Sequence, residues 1–137
     1  MTFNEVTLYS DGASLGNPGK AGVGVLLYDK KGILVKQISQ CIGTATNNVA
    51  EYAALIFGLE EALALRVKRI KCFLDSELLV RQLQGIYRVR NPKLFVFYSQ
   101  VQHLRGFFER IDFFHIPREQ NKEADKLAKE SVRGKRG

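Results

Sequence analysis

The chain has 137 residues, enough for one domain and too few for two ordinary ones, and its 45% hydrophobic and 26% charged residues are those of a globular protein with its own core. No apolar run reaches the roughly 18 residues of a membrane span, and the N-terminus lacks a basic region followed by an apolar one, so a cytoplasmic protein with no membrane partner is expected. Twenty-one Lys and Arg against 14 Asp and Glu leave a net charge of +7, which points toward polyanions, and two cysteines make neither a metal-ligand spacing nor a disulfide framework.

Residues 5–11, EVTLYSD, alternate Val6, Leu8 and Ser10 against Thr7, Tyr9 and Asp11 and predict a first strand. The next stretch, GASLGNPG, is dominated by Gly, Asn and Pro and reads as a loop. Residues 21–29 predict a second strand and residues 33–42 a third, joined as a hairpin by a DKKG turn in which Gly32 is free to take a positive φ. Cys41 and Cys72 fall in apolar strand-like stretches and are expected as buried free thiols. Residues 47–65 change the period. They are rich in Ala and Leu, broken only by Glu51, Glu60 and Glu61, and predict a buried helix capped by Thr46 or Asn47.

A fourth strand follows at 69–75, then a helix from about Ser76 to Gln84. In the helix predicted for 91–106, Asn91 fits the N-cap, Pro92 the first helical position and Gly106 the exit. A fifth strand at 110–116 ends at Pro117, and residues 121–131 form the closing helix. Residues 1–131 are thus expected as a single domain and 132–137 as a short basic flexible tail. One hairpin followed by β-α-β crossovers implies an α/β fold: a mixed sheet of five strands with helices on its faces and right-handed crossovers.

The acids fall at particular places in this order. Asp11 and Asp75 end the first and fourth strands, Glu51 lies one turn into the first helix, and Asp125 about one turn into the last. Ligands of open α/β sheets bind beyond the carboxyl ends of the strands, so adjacent parallel strands one and four would gather these acids. Singly, each has a plainer role: turn former, dipole partner, helix cap or solvated charge. Together, four carboxylates in one cleft repel one another unless a cation joins them. Oxygen ligands suit Mg²⁺ or Mn²⁺, and two such ions about 3.5–4 Å apart can clamp the attacking and leaving oxygens of a phosphoryl displacement.

Four segments, SDGASLGNPGKAGVGVLL, TNNVAEYAALIFGLEEAL, LDSELLVRQLQG and PREQNKEADKLA, resemble the signature blocks of ribonuclease H, type 1, in order and spacing, over nearly the whole chain. The resemblance implies a ribonuclease H-like sheet with its first three strands antiparallel. It implies an endonuclease that cuts the RNA strand of RNA–DNA hybrids with two Mg²⁺ per site, or Mn²⁺ as substitute, leaving 5′-phosphate and 3′-hydroxyl ends. Asp11, Glu51, Asp75 and Asp125 match its metal ligands. Gly12, Ser14, Asn17, Thr46, Asn47, Asn48, Glu77 and Asn91 match positions that contact nucleic acid. Among them Asn17, Asn47 and Asn48 would read 2′-hydroxyls and Thr46 and Asn91 would grip a phosphate of the DNA strand. The glycines of GASLGNPG would let a sugar-phosphate strand pass close to the backbone.

The chain departs from the best-known bacterial pattern in two ways. QGIYRVRNPKL joins two helices directly, without the long basic insertion, as in compact archaeal and some other bacterial members; Arg88, Arg90 and Lys93 are candidate replacements. For the family's mobile histidine the residues leave three candidates: His115, ten residues before Asp125, or Arg118 or Glu119 in a shortened loop. Compact relatives sometimes cut double-stranded RNA, and a non-catalytic hybrid-binding module is a further alternative. A monomer, and a protein separate from any reverse transcriptase, are expected.

Overall fold

The computed structural model describes residues 3–133. The elements run β1 (Glu5–Ser14), β2 (Gly19–Asp29), β3 (Leu34–Ala45), α1 (Asn47–Ala64), β4 (Arg69–Leu74), α2 (Glu77–Leu83), α3 (Pro92–Arg105), β5 (Arg110–His115), a 3₁₀ turn (Arg118–Gln120) and α4 (Lys122–Arg133). They form one five-stranded sheet of order β3-β2-β1-β4-β5. The β1–β2 and β2–β3 pairs are antiparallel; β1–β4 and β4–β5 are parallel. This is the expected mixed sheet.

Alternation decides which helix covers which face. Val6, Leu8, Val25 and Leu27 point to the face on which α1 lays Tyr52, Leu55 and Leu59, and all seven are at most 1% exposed. Helices α2 and α3 extend that layer with Leu79, Val80, Leu83, Leu94 and Val101. On β2, Gly24 alternates with Val23 and Val25 and so points the other way, where α4 lies almost on the backbone. A Cβ on Gly24 would stand 2.1 Å from the Ala124 carbonyl oxygen. Ala124, Ala128 and Val132 are the buried stripe of α4.

Several boundaries differ from the sequence reading. The expected glycine-rich loop is partly strand: Gly12 pairs with Val23 and Ser14 with Ala21, so the antiparallel ladder overrides the weak strand preference of these residues. Gly32 does take positive φ, +82°, but Gly106 leaves α3 at −67°, where any residue fits. Cys72 is buried, whereas Cys41 on the edge strand β3 is only half-buried, which corrects the expectation of two buried thiols. The expected tail begins too early. Val132 and Arg133 continue α4, and Val132 is buried; residues 134–137 lie outside the described residues. Among the described residues no helix is long and apolar enough to cross a membrane.

Candidate active site and metal centre

Parallel pairing of β1 with β4 ends at Ser10 opposite Leu74, so the next residues, Asp11 and Asp75, emerge side by side at the carboxyl ends of the two central strands. Thr46 caps α1 by accepting from the Val49 N–H at 3.2 Å. The first turn then crosses directly over Gly12. A Cβ on Gly12 would meet the Ala50 carbonyl carbon at 2.2 Å and the Glu51 nitrogen at 2.4 Å. This contact brings in Glu51, whose Oε1 accepts from the Gly12 N–H at 2.6 Å, while Asp11 Oδ1 accepts from the same N–H at 3.0 Å. Gly12→Ala must push α1 off the sheet, since both obstacles are backbone. A loss of about 3 kcal/mol of stability is expected, read as a lower urea midpoint with unchanged slope.

One oxygen each of Asp11, Glu51 and Asp75 lies within 4.8 Å of the others. They sit in a cleft of about 340 Å³ lined also by Gly12, Ser14, Asn47, Asn48, Arg118, Asp125 and Lys129. Burial pushes the Asp11 carboxyl from its ordinary 3.8 up to about 11, with the hydrogen bond to Glu51 next in weight and the charges of Glu51 and Asp75 behind it. Burial also raises Glu51, opposed by hydrogen bonds from Asp11 and the Gly12 N–H. Asp75 is raised by burial as well, opposed by the Asn121 amide and the Arg118 charge. Without a cation the cluster therefore retains a proton at Asp11 near neutrality. Its donors are all hard oxygens, and this fits a divalent cation of the Mg²⁺ type.

The remaining expected residues divide. Asp125 lines the cleft but lies outside the tight group of three and pairs with Lys129 at 2.9 Å. Asn47 and Asn48 are exposed on the cleft wall, and the Asn47 N–H donates to Asn17 Oδ1 at 3.1 Å, which ties the glycine-rich turn to α1. Ser14 lines the cleft and donates to the Ala45 carbonyl at 2.9 Å. Asn91 caps α3 from outside the cleft, accepting from Lys93 and Leu94 N–H groups at 2.8 and 3.2 Å. Glu77 is exposed, 4.0 Å from Arg81. Of the three candidates for the histidine position, Arg118 alone lines the cleft. Exposed His115 ends β5, and Glu119 faces a different hollow beside Tyr9 and Tyr28.

Sequence reasoning passed over Asn121 and Lys129. Asn121 is 2% exposed and donates to Asp75 Oδ2 at 3.1 Å. Its signal was available, since a residue four before Asp125 begins the same helical turn.

A family model described as "Reverse transcriptase-like" matches residues 9–131. "Bifunctional protein Rv2228c" of Mycobacterium tuberculosis is 41% identical over 130 residues, which make 93% of this chain and 35% of that protein. The chain thus spans about a third of the length of the mycobacterial relatives it matches. The crystal structure of RNase H1 from the halophilic archaeon Halobacterium salinarum superposes with a TM-score of 0.92 at 40% identity, over 94% of this chain and 98% of that one. LC11-RNase H1, solved in complex with RNA/DNA hybrid, gives a TM-score of 0.89 at 40% identity, over 93% of this chain and 96% of that one. On the strength of the shared sheet order, the converging acids and these matches over nearly all of its length, the chain belongs to the ribonuclease H family, type 1.

Proposed function

We propose that this domain is an endonuclease that hydrolyses the RNA strand of RNA–DNA hybrids, leaving 5′-phosphate and 3′-hydroxyl ends. The observation that carries the reading is the meeting of three carboxylate oxygens within 4.8 Å in a protein of net charge +7. A module that only bound nucleic acid would gain nothing from negative charge where a phosphate must pass. Asp11, Glu51, Asp75 and Asp125 would hold two Mg²⁺, or Mn²⁺ in their place. The chemistry such ions supply when bound is Lewis-acid stabilisation of charge on the phosphoryl group.

The chain's own residues then bind and orient. Asn47 and Asn48 can each donate to and accept from a 2′-hydroxyl, the group that separates RNA from DNA. The Thr46 and Asn91 caps present helix N-termini, which favour phosphate. Arg118 replaces the family histidine in place but not in chemistry. A guanidinium keeps its proton, so it holds a phosphate oxygen by charge and paired hydrogen bonds rather than shuttling a proton. The protein would act on nucleic acid as a monomer in the cytoplasm.

The test is a gel of end-labelled hybrid and of RNA duplex, each with Mg²⁺, Mn²⁺ or chelator. Cleavage of RNA in the hybrid, dependent on metal, is expected. A hybrid left intact with both metals removes the reading, and equal cutting of the duplex widens the substrate to A-form RNA. Arg118→Ala should lower kcat/KM by about a hundredfold with no change in melting temperature, since the side chain is exposed.

A further inference from the structure

Asn121 occupies the position of a helix cap. Its carbonyl accepts from the Asp125 N–H at 3.1 Å, the first helical bond of α4. An asparagine there ordinarily turns its side-chain oxygen onto an N–H of the first turn. This one does not. Its Oδ1 is buried without a partner among the described residues, and Nδ2 points into the sheet, donating to the Ser10 carbonyl at 2.9 Å and to Asp75 Oδ2 at 3.1 Å. A flipped amide would set its oxygen against two acceptors, so the two partners fix the orientation. A buried orphan acceptor is a cost that a residue serving only as a cap would not carry.

We infer that Asn121 is a positioning residue for the metal centre, joining the three elements that bear Asp11, Asp75 and Asp125. It holds β1 through the carbonyl just before Asp11. It holds Asp75 by one carboxylate oxygen, leaving the other for a cation. Its own main chain starts the turn that carries Asp125. The inference rests on the metal-dependent reading above and adds the device that keeps ligands from separate elements in one geometry. Partners of this kind, one shell outside the ion, typically change metal affinity or activity by 10–100-fold when lost.

Asn121→Asp keeps the shape and exchanges both donors for an acceptor; Asn121→Ser keeps a single shorter donor. Calorimetric titration of Mn²⁺ into each folded variant should give a dissociation constant raised on the order of 10–100-fold for Asn121→Asp, with a smaller rise for Asn121→Ser. The hybrid KM should stay near its original value while kcat falls. Mn²⁺ binding as tight as in the unmodified chain, with only a lower melting temperature, overturns the inference. Should neither variant fold, the side-chain amide resonance of Asn121 in the unmodified, ¹⁵N-labelled protein decides. It is expected to move on Mg²⁺ titration with the midpoint of the carboxylates, and a resonance that stays still through saturation overturns the idea. An unmodified chain that binds Mn²⁺ without cutting hybrid refutes the nuclease reading alone; one that binds no Mn²⁺ refutes both.

Discussion

Asp11→Asn is expected to abolish hybrid cleavage while leaving the fold intact, and Asp75→Asn to do the same. Asp11 is a buried residue, 7% exposed, and an oxygen of its carboxylate lies within 4.8 Å of oxygens of Glu51 and Asp75. An amide at that position is uncharged and offers a cation a weaker ligand. Lewis-acid stabilisation supplies several kcal/mol to a phosphoryl transfer, and at 1.36 kcal/mol per decade its loss lowers kcat by on the order of a thousandfold or more. Stability should move the other way. Asparagine keeps an oxygen for the Gly12 N–H bond and removes a group that burial prevents from ionising. In chelator, therefore, the variant melts at the same temperature as the parent or higher. Full cleavage activity in either variant would sink the metal-site argument, and collapse of the fold would show that the acids serve structure first.

The second large effect is a pH dependence that metal should erase. The folded-state pKa of Asp11 is raised from 3.8 to about 11, with burial as the leading cause. Between those values the folded state keeps a proton that the unfolded chain releases. The contribution to stability is therefore complete below the unfolded pKa and shrinks as pH rises, by at most about 1.4 kcal/mol per pH unit for one proton. Glu51 is raised as well and acts in the same sense. In chelator the melting temperature should fall steadily from pH 5 to pH 8. With Mg²⁺ at millimolar concentration the ion takes the place of the proton, and the slope should flatten. Melting curves at four pH values, with and without Mg²⁺, measure both. A flat profile in chelator would mean that the acids are hydrated and independent, which their spacing denies.

Much of this architecture was legible in the residues because local signals agreed with the global one. The run from Asn47 to Leu65 read as a buried helix, and a crossover from the hairpin to β4 would bring Asp11 and Asp75 together if β4 paired parallel with β1, as it does. What stayed hidden depended on partners far away in the chain. Gly12–Ser14 became strand because β2 was there to pair with it, and Val132 was drawn into α4 by a core that its basic neighbours gave no hint of. The choice among His115, Arg118 and Glu119 was open for a similar reason. A single 3₁₀ turn after Pro117 sends consecutive residues, Arg118 and Glu119, into different hollows, and no periodicity announces so short an element. Asn121 was missed because an asparagine before a helix already has an ordinary explanation, capping, which its geometry here contradicts.

The seating of α4 against Gly24 has a consequence for biosynthesis. Asp125 belongs to α4 and Asn121 directly precedes that helix, whereas Asp11 lies on β1. A polypeptide leaving the ribosome displays Asp11 before Asp125 and cannot finish the pocket until residues beyond 125 have emerged and packed onto the sheet. Translation itself thus delays completion of the pocket, and a product stopped short of Asn121 would carry Asp11, Glu51 and Asp75 without the amide that holds the Ser10 carbonyl and Asp75.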